Sequence, residues 1–169
     1  LFGMHGSICV VMKTEGELQA RVRGWIPRLI GFFVAGYAVT TVLTLVFIPH
    51  MITTLRENPV LWVVPLLSVL AIANIPREIH KGREFRAFLS SCGTMIFLMA
   101  LFGIGMYPDM IYSSPVPENS LTIYNASSSP KTLQIMLIIA LLGMPIVVAY
   151  TTSIYWIFRG KVKLDAFSY

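Results

Sequence analysis

Long uncharged runs separated by short charged segments set the pattern of this chain. Residues 29–55, 58–76, 87–106 and 132–158 contain no Asp, Glu, Lys or Arg, and a shorter uncharged run fills residues 1–12. Each of the four longer runs approaches or exceeds the roughly 17–25 apolar residues that a helix needs to cross a bilayer. None shows the inside–outside alternation of a barrel strand, and all are too long for one. Residues 1–12 cover only about 18 Å as a helix, against a hydrocarbon core of about 30 Å, and lack the basic start and small-residue cleavage site of a secretory signal. The pattern predicts an all-α polytopic membrane protein: a four-helix transmembrane bundle over 29–158, preceded at 1–12 by the end of one further transmembrane helix. Residues 13–28 read as a basic cytoplasmic loop and 159–169 as a cytoplasmic tail.

Composition agrees with this reading. Hydrophobic residues make up 56% of the chain and charged residues only 12%, with a mean hydropathy of +0.72, whereas soluble domains carry roughly 25% charge. The net charge of +5 forms no continuous stripe, so membrane orientation accounts for it better than nucleic acid does. Lys and Arg number four in 13–28, one in 51–58, four in 77–86, one in 109–131 and three from Arg159 onward. Short basic loops stay on the cytoplasmic side, which assigns the first and third segments and the C-terminus inside. Trp25, Tyr155 and Trp156 then fall at the inner boundary, and Trp62, Tyr107 and Tyr112 at the outer one.

Small residues recur at helical spacing. Gly31 and Ala35, then Gly36, Thr40 and Thr44, give one span a face expected to contact another helix. Ser90, Ser91, Gly93, Thr94, Gly103 and Gly105 suit the third complete span to close packing. Pro65 and Pro145 fall inside spans as expected kinks that a bundle tolerates. Residues 107–131 form the longest connection, read as turns rather than a separate domain. Asn125-Ala126-Ser127 there fits the glycosylation tripeptide, a pattern common by chance.

Candidate chemistry is sparse. Cys9 and Cys92 lack metal-type spacing and read as buried free thiols. Charge within a span usually marks a proton or ion path, and the four uncharged runs contain none. Of the histidines, His50 and His80 fall at boundaries. His5 alone falls at membrane depth, where it reads as a packed or interfacial residue in preference to an axial haem ligand. No nucleotide-binding glycine motif, histidine pair or nucleophile elbow occurs, so the residues offer no catalytic and no metal site. One reading is therefore a scaffold. The alternative is half of a secondary transporter or permease without a redox cofactor, suggested by the proline-broken spans; Asn74, a side-chain amide inside a span, lies near a helix end and offers that reading little.

Residues 5–23, HGSICVVMKTEGELQARVR, resemble the Gly-containing helix end followed by K-T-x-G-x-L-x-x-R-x-R in subunit II of cytochrome bd quinol oxidases. Tyr107-Pro108, the run from Ser120 to Ser128, the run from Pro145 to Thr151, and Tyr155-Trp156 before Arg159-Gly160 follow that family's pattern in the same order. The resemblance covers nearly the whole chain. It implies the C-terminal half of an eight-span subunit: the end of the fourth span plus the second four-helix bundle. It further implies a bacterial or archaeal plasma membrane and a complex that oxidises quinol and reduces oxygen. Haem b and haem d would reside in the partner subunit I, with none ligated by this chain, and some members hold a structural quinone in subunit II. The implied partners are subunit I, the N-terminal half of subunit II, a small accessory subunit, membrane lipids and quinone, without nucleic acid. The family's acidic residues for proton uptake lie in the other half, so no catalytic residue is carried over and the cofactor-binding residues stay unknown.

Overall fold

A computed structural model of the protein describes residues 1–161. Six helices dominate it: α1 (Phe2–Lys13), α2 (Gly16–Phe47), α3 (Thr53–Glu57), α4 (Val63–His80), α5 (Glu84–Met106) and α6 (Pro130–Ile157). Among the described residues four stretches are long and apolar enough to cross a membrane: Gly16–Phe47, Pro59–His80, Glu84–Met106 and Pro130–Ile157. The all-α membrane architecture and the count of four full spans stand as the sequence predicts.

Several boundaries move. Residues 13–28 narrow to a turn at Thr14 and Glu15, because α2 begins at Gly16. Gly16 takes φ +71°, a region that costs other residues steric strain, and Gln19 Nε2 donates to the Val11 carbonyl at the end of α1. The chain can therefore reverse direction at once, and the charges of 17–28 ride on helix. At 32 residues α2 spans about 48 Å, so its charged first turns extend beyond a 30 Å core. Pro27 lies inside it.

The C-terminal end of α2 lies at Phe47. A 3-10 turn (Pro49–Ile52), the short α3, and a second 3-10 turn (Pro59–Trp62) lead into α4. Pro65 therefore sits in the first turn of α4, where a missing donor costs little, rather than in its interior. Pro76 is the residue inside α4, and the helix runs on through Arg77 and Glu78 to His80. A Schellman closure ends it: Arg83 N–H donates to the Glu78 carbonyl and Gly82 N–H to that of Ile79, with Gly82 at φ +67°.

The chain divides into two compact units. In the first, residues 1–107, α4 packs most extensively on α5, and α1 packs on α2 and α5. Its apolar centre joins Met4, Ile8 and Val11 of α1, Ile26 of α2, Ile75 of α4 and Ala87 of α5. The α1 residues recur at intervals of four and three, which places them on one face. Across 87–105 the buried positions are Ala87, Ser91, Thr94 and Gly105, so the small side chains that the sequence marks for close packing partly serve it. A Cβ added at Gly103 would meet nothing within 4 Å.

The second unit, residues 108–160, holds α6 and the hairpin before it. The expectation of turns alone for 107–131 is corrected by an antiparallel pair, β1 (Asp109–Ile111) with β2 (Leu121–Thr122). The Ser120 hydroxyl accepts from Ser113 N–H, and Asn125 bonds both Thr122 N–H and the Ser120 carbonyl. Asn125 of the sequon is thus committed to the turn. In α6, Ser129 caps the N-terminus by accepting from Thr132 N–H, and Pro145 is interior, as expected. Residues 162–169 of the proposed tail lie outside the described residues.

Candidate functional site

Two features of the first unit could carry function: a polar seam along α1, α4 and α5, and an apolar cavity between α2, the α3 region and α5.

The seam begins at His5. Its Nδ1 lies 2.7 Å from the Ser91 hydroxyl, and its ring lies against Phe88 with centroids 4.8 Å apart. Ser91 is fully buried, and its hydroxyl donates to the Phe88 carbonyl at 2.7 Å. On the neighbouring face, Asn74 Nδ2 donates to the Ser90 hydroxyl at 2.8 Å; Ser90 in turn donates to the Arg86 carbonyl, and Thr94 to that of Ser90. Asn74 is therefore a clasp between α4 and α5. Two buried atoms on α4 have no hydrogen-bond partner among the described residues, Ser68 Oγ and Glu78 Oε2.

Glu78 is the residue that the sequence reading misses. Ending the span at Pro76 put it in a solvated loop, whereas the helix continues through Pro76 and Glu78 is 4% exposed. The signal was its position three residues after Ile75, on the face that is buried. Nearby, Arg23 and Glu84 form an ion pair at 2.6 Å that ties α2 to α5. Arg23 is one of the arginines in the K-T-x-G-x-L-x-x-R-x-R pattern, so that motif builds a turn and a clamp.

The cavity has a volume of about 630 Å³. Phe33, Gly36, Thr40 and Thr44 of α2 form one wall, with Leu55 and Leu101 among the residues opposite. The small-residue face of α2, expected to meet a helix, fronts this space along Gly36, Thr40 and Thr44, and at Gly31 nothing lies within 4 Å. The lining contains neither His nor Cys, and its one Met packs its methyl against Gly105. Its polar groups include the Tyr37 phenol and the threonine hydroxyls. It fits an apolar chain, since such pockets are concave and mostly hydrophobic with a few hydroxyls.

His50 stands in the 3-10 turn after α2 and His80 is the last residue of α4. The cysteines are free, each partly buried. Among the described residues no group of three or more His, Cys, Asp or Glu could hold a metal ion. Trp25, Trp62, Tyr107, Tyr112, Tyr155 and Trp156 are all at least 39% exposed.

Four apolar spans, with polar groups gathered between helices and at their ends, define a polytopic membrane protein of the helical class. The family model for cytochrome bd terminal oxidase subunit II matches residues 1–158, and the chain belongs to that family. It is 26% identical over 187 residues to the cytochrome bd-I ubiquinol oxidase subunit 2 of Escherichia coli K12, covering 95% of this chain and 49% of that protein. A probable cytochrome oxidase subunit 2 of Haemophilus influenzae is 31% identical, covering 96% and 49%. The cytochrome bd ubiquinol oxidase subunit 2 of Bacillus subtilis is 26% identical, covering 94% and 46%. The chain spans about half the length of these relatives.

Proposed function

We propose that this chain is part of subunit II of a respiratory quinol:oxygen oxidoreductase, and that it ligates no haem but packs against a haem-bearing subunit I and stabilises it. The observation that carries this reading is the family match over residues 1–158. The apolar outer faces of α2 and α6, whose spanning windows are 0% buried within the chain, support the packing role. Such faces suit lipid and neighbouring transmembrane helices.

On this reading haem b and haem d belong to the partner subunit. Electrons pass from quinol to oxygen there, while this chain's residues hold helices in place. A structural quinone would lay its isoprenoid tail in the cavity against Phe33, Leu55 and Leu101, with the hydroxyls of Thr40 and Thr44 within the same wall. The remaining half of subunit II and a small accessory subunit complete the assembly. It sits in a bacterial or archaeal plasma membrane, with the Lys13–Glu17 turn, the α4–α5 turn and the C-terminus facing the cytoplasm.

The test is purification by a tag on this subunit, followed by absorption spectra of whatever accompanies it. A haem-bearing partner with b- and d-type bands, whose spectrum and quinol oxidase activity fall when this subunit is deleted, is the expected result. A subunit that purifies without haem, or a deletion that leaves both spectrum and activity unchanged, overturns the proposal.

A further inference from the structure

A hydroxyl has one proton to give. The Ser91 proton goes to the Phe88 carbonyl, which can only accept. With that proton so placed, the 2.7 Å contact between Ser91 and His5 is donated by His5 Nδ1. That assignment fixes the neutral imidazole as the Nδ1–H tautomer and leaves a lone pair on Nε2. The ring cannot easily turn away, because it packs against Phe88 at a 30° tilt and is bonded to a fully buried serine. Nε2 bonds to nothing among the described residues, and it is not one of the enclosed polar atoms, so it opens at the surface of the helix cluster. His5 precedes Lys13 by eight residues, about 12 Å along the helix. Hydrocarbon at that depth offers no donor, and a polar group left unpaired there is costly.

We infer that His5 Nε2 accepts a hydrogen bond from an N–H or O–H donor on a transmembrane segment outside residues 1–161. The donor comes from subunit I or from the rest of subunit II, so the inference rests on the oxidase reading for its partner. Ser91 acts as a positioning residue: it selects the tautomer and aims the lone pair outward. A metal would use the same lone pair, since ligating histidines commonly hold their other nitrogen in a hydrogen bond. The described residues offer no companion ligand cluster, which favours the hydrogen bond.

The experiment uses the assembled complex carrying ¹⁵N-histidine. The chain has three histidines, and the His5 signals are those lost in His5→Asn. Expected are a protonated Nδ1 and an unprotonated Nε2 whose resonance is displaced toward the hydrogen-bonded position. When subunit I is stripped away, return of that resonance to the free position identifies subunit I as the source. Persistence identifies the rest of subunit II. A protonated Nε2, or an Nε2 already at the free position in the intact complex, overturns the inference.

Substitutions give an independent arm. His5→Asn retains a donor near the Nδ1 position and loses the outer acceptor, whereas His5→Gln places an acceptor where Nε2 was. The half-life of the complex at fixed elevated temperature should shorten about fivefold or more in His5→Asn, the effect of leaving a buried donor unpaired. In His5→Gln it should stay within about twofold, at equal membrane yield. Equal half-lives for the two variants, or haem bands altered in His5→Asn, would overturn the inference, the second by making the nitrogen an iron ligand. If no haem subunit accompanies the wild-type chain, the oxidase reading fails, and the nitrogen spectrum of the chain itself still decides whether Nε2 is bonded.

Discussion

At Gly105, α5 packs tightly on the turn after α2, and adding one methyl there has a calculable effect. A Cβ at this position would meet Met51 Cε at 3.0 Å, the Met51 carbonyl oxygen at 3.2 Å and Met51 Cβ at 3.4 Å. The methionine methyl can swing aside. The carbonyl belongs to a short 3-10 turn and can move only with its backbone. Replacing glycine by alanine inside a helix gains about 1 kcal/mol, and overpacking a tight contact costs about 1–3 kcal/mol. Gly105→Ala should therefore lose about 1 kcal/mol net. Gly103→Ala, two residues away with nothing within 4 Å of the new methyl, should gain the propensity alone, so the pair should differ by about 2 kcal/mol. Unfolding of the purified subunit by graded denaturing detergent measures both. Adding Met51→Ala to Gly105→Ala should recover part of the loss, because it removes the 3.0 Å contact and leaves the one at 3.2 Å. Equal stability of Gly105→Ala and Gly103→Ala would refute the idea that backbone, rather than a flexible side chain, limits this contact.

Two further outcomes are expected. Gly82→Ala forces a side chain into the left-handed conformation that closes α4 and should cost about 1–2 kcal/mol, read as a lower unfolding midpoint; an unchanged midpoint would mean the turn relaxes to another cap. Ile75→Ala removes a fully buried side chain where α1, α2 and α5 converge and should cost about 2–5 kcal/mol, with Val69→Ala, which is 51% exposed, as the near-neutral control in detergent.

The spans were legible because a bilayer enforces long uncharged runs, and no tertiary contact has to be known to see them. Their ends were harder to read. A run of uncharged residues ends at a charge or a proline, but the backbone has no such rule. α2 extends through Arg28, Pro27 and Arg23 because helix continues into the headgroup region, and α4 passes Pro76 because that residue forfeits one donor without breaking the turn that follows. The same shift hid Glu78. The β1–β2 hairpin escaped notice because its strands are three and two residues long, below any usable alternation. His5 was picked out as the one histidine at membrane depth, yet its partner lies 86 residues away, a pairing that spacing could not supply. The cavity was invisible for the same reason. Its small-residue wall reads identically whether a helix or open space lies opposite.

Several hydroxyls in the spans have already found a partner in their own helix. Ser7, Thr41, Ser90, Thr94 and Ser153 each donate to the carbonyl four residues earlier, so they add little demand for outside bonds. Ser68 differs: it is 0% exposed and its Oγ has no partner among the described residues. A hydroxyl buried without a bond costs about 1–3 kcal/mol. Ser68→Ala removes that group at almost no change in volume and should therefore raise the subunit's stability by about 1 kcal/mol or more. Asn74→Ala, which breaks the bond to Ser90 across the same helix pair, should lower it by about 1 kcal/mol. Both are measured by unfolding in graded denaturing detergent, and the opposite signs are the point of the comparison. A loss of stability in Ser68→Ala would show that its hydroxyl is bonded in the folded subunit, and the distinction between self-satisfied and unsatisfied hydroxyls would then fail at the position where it is sharpest.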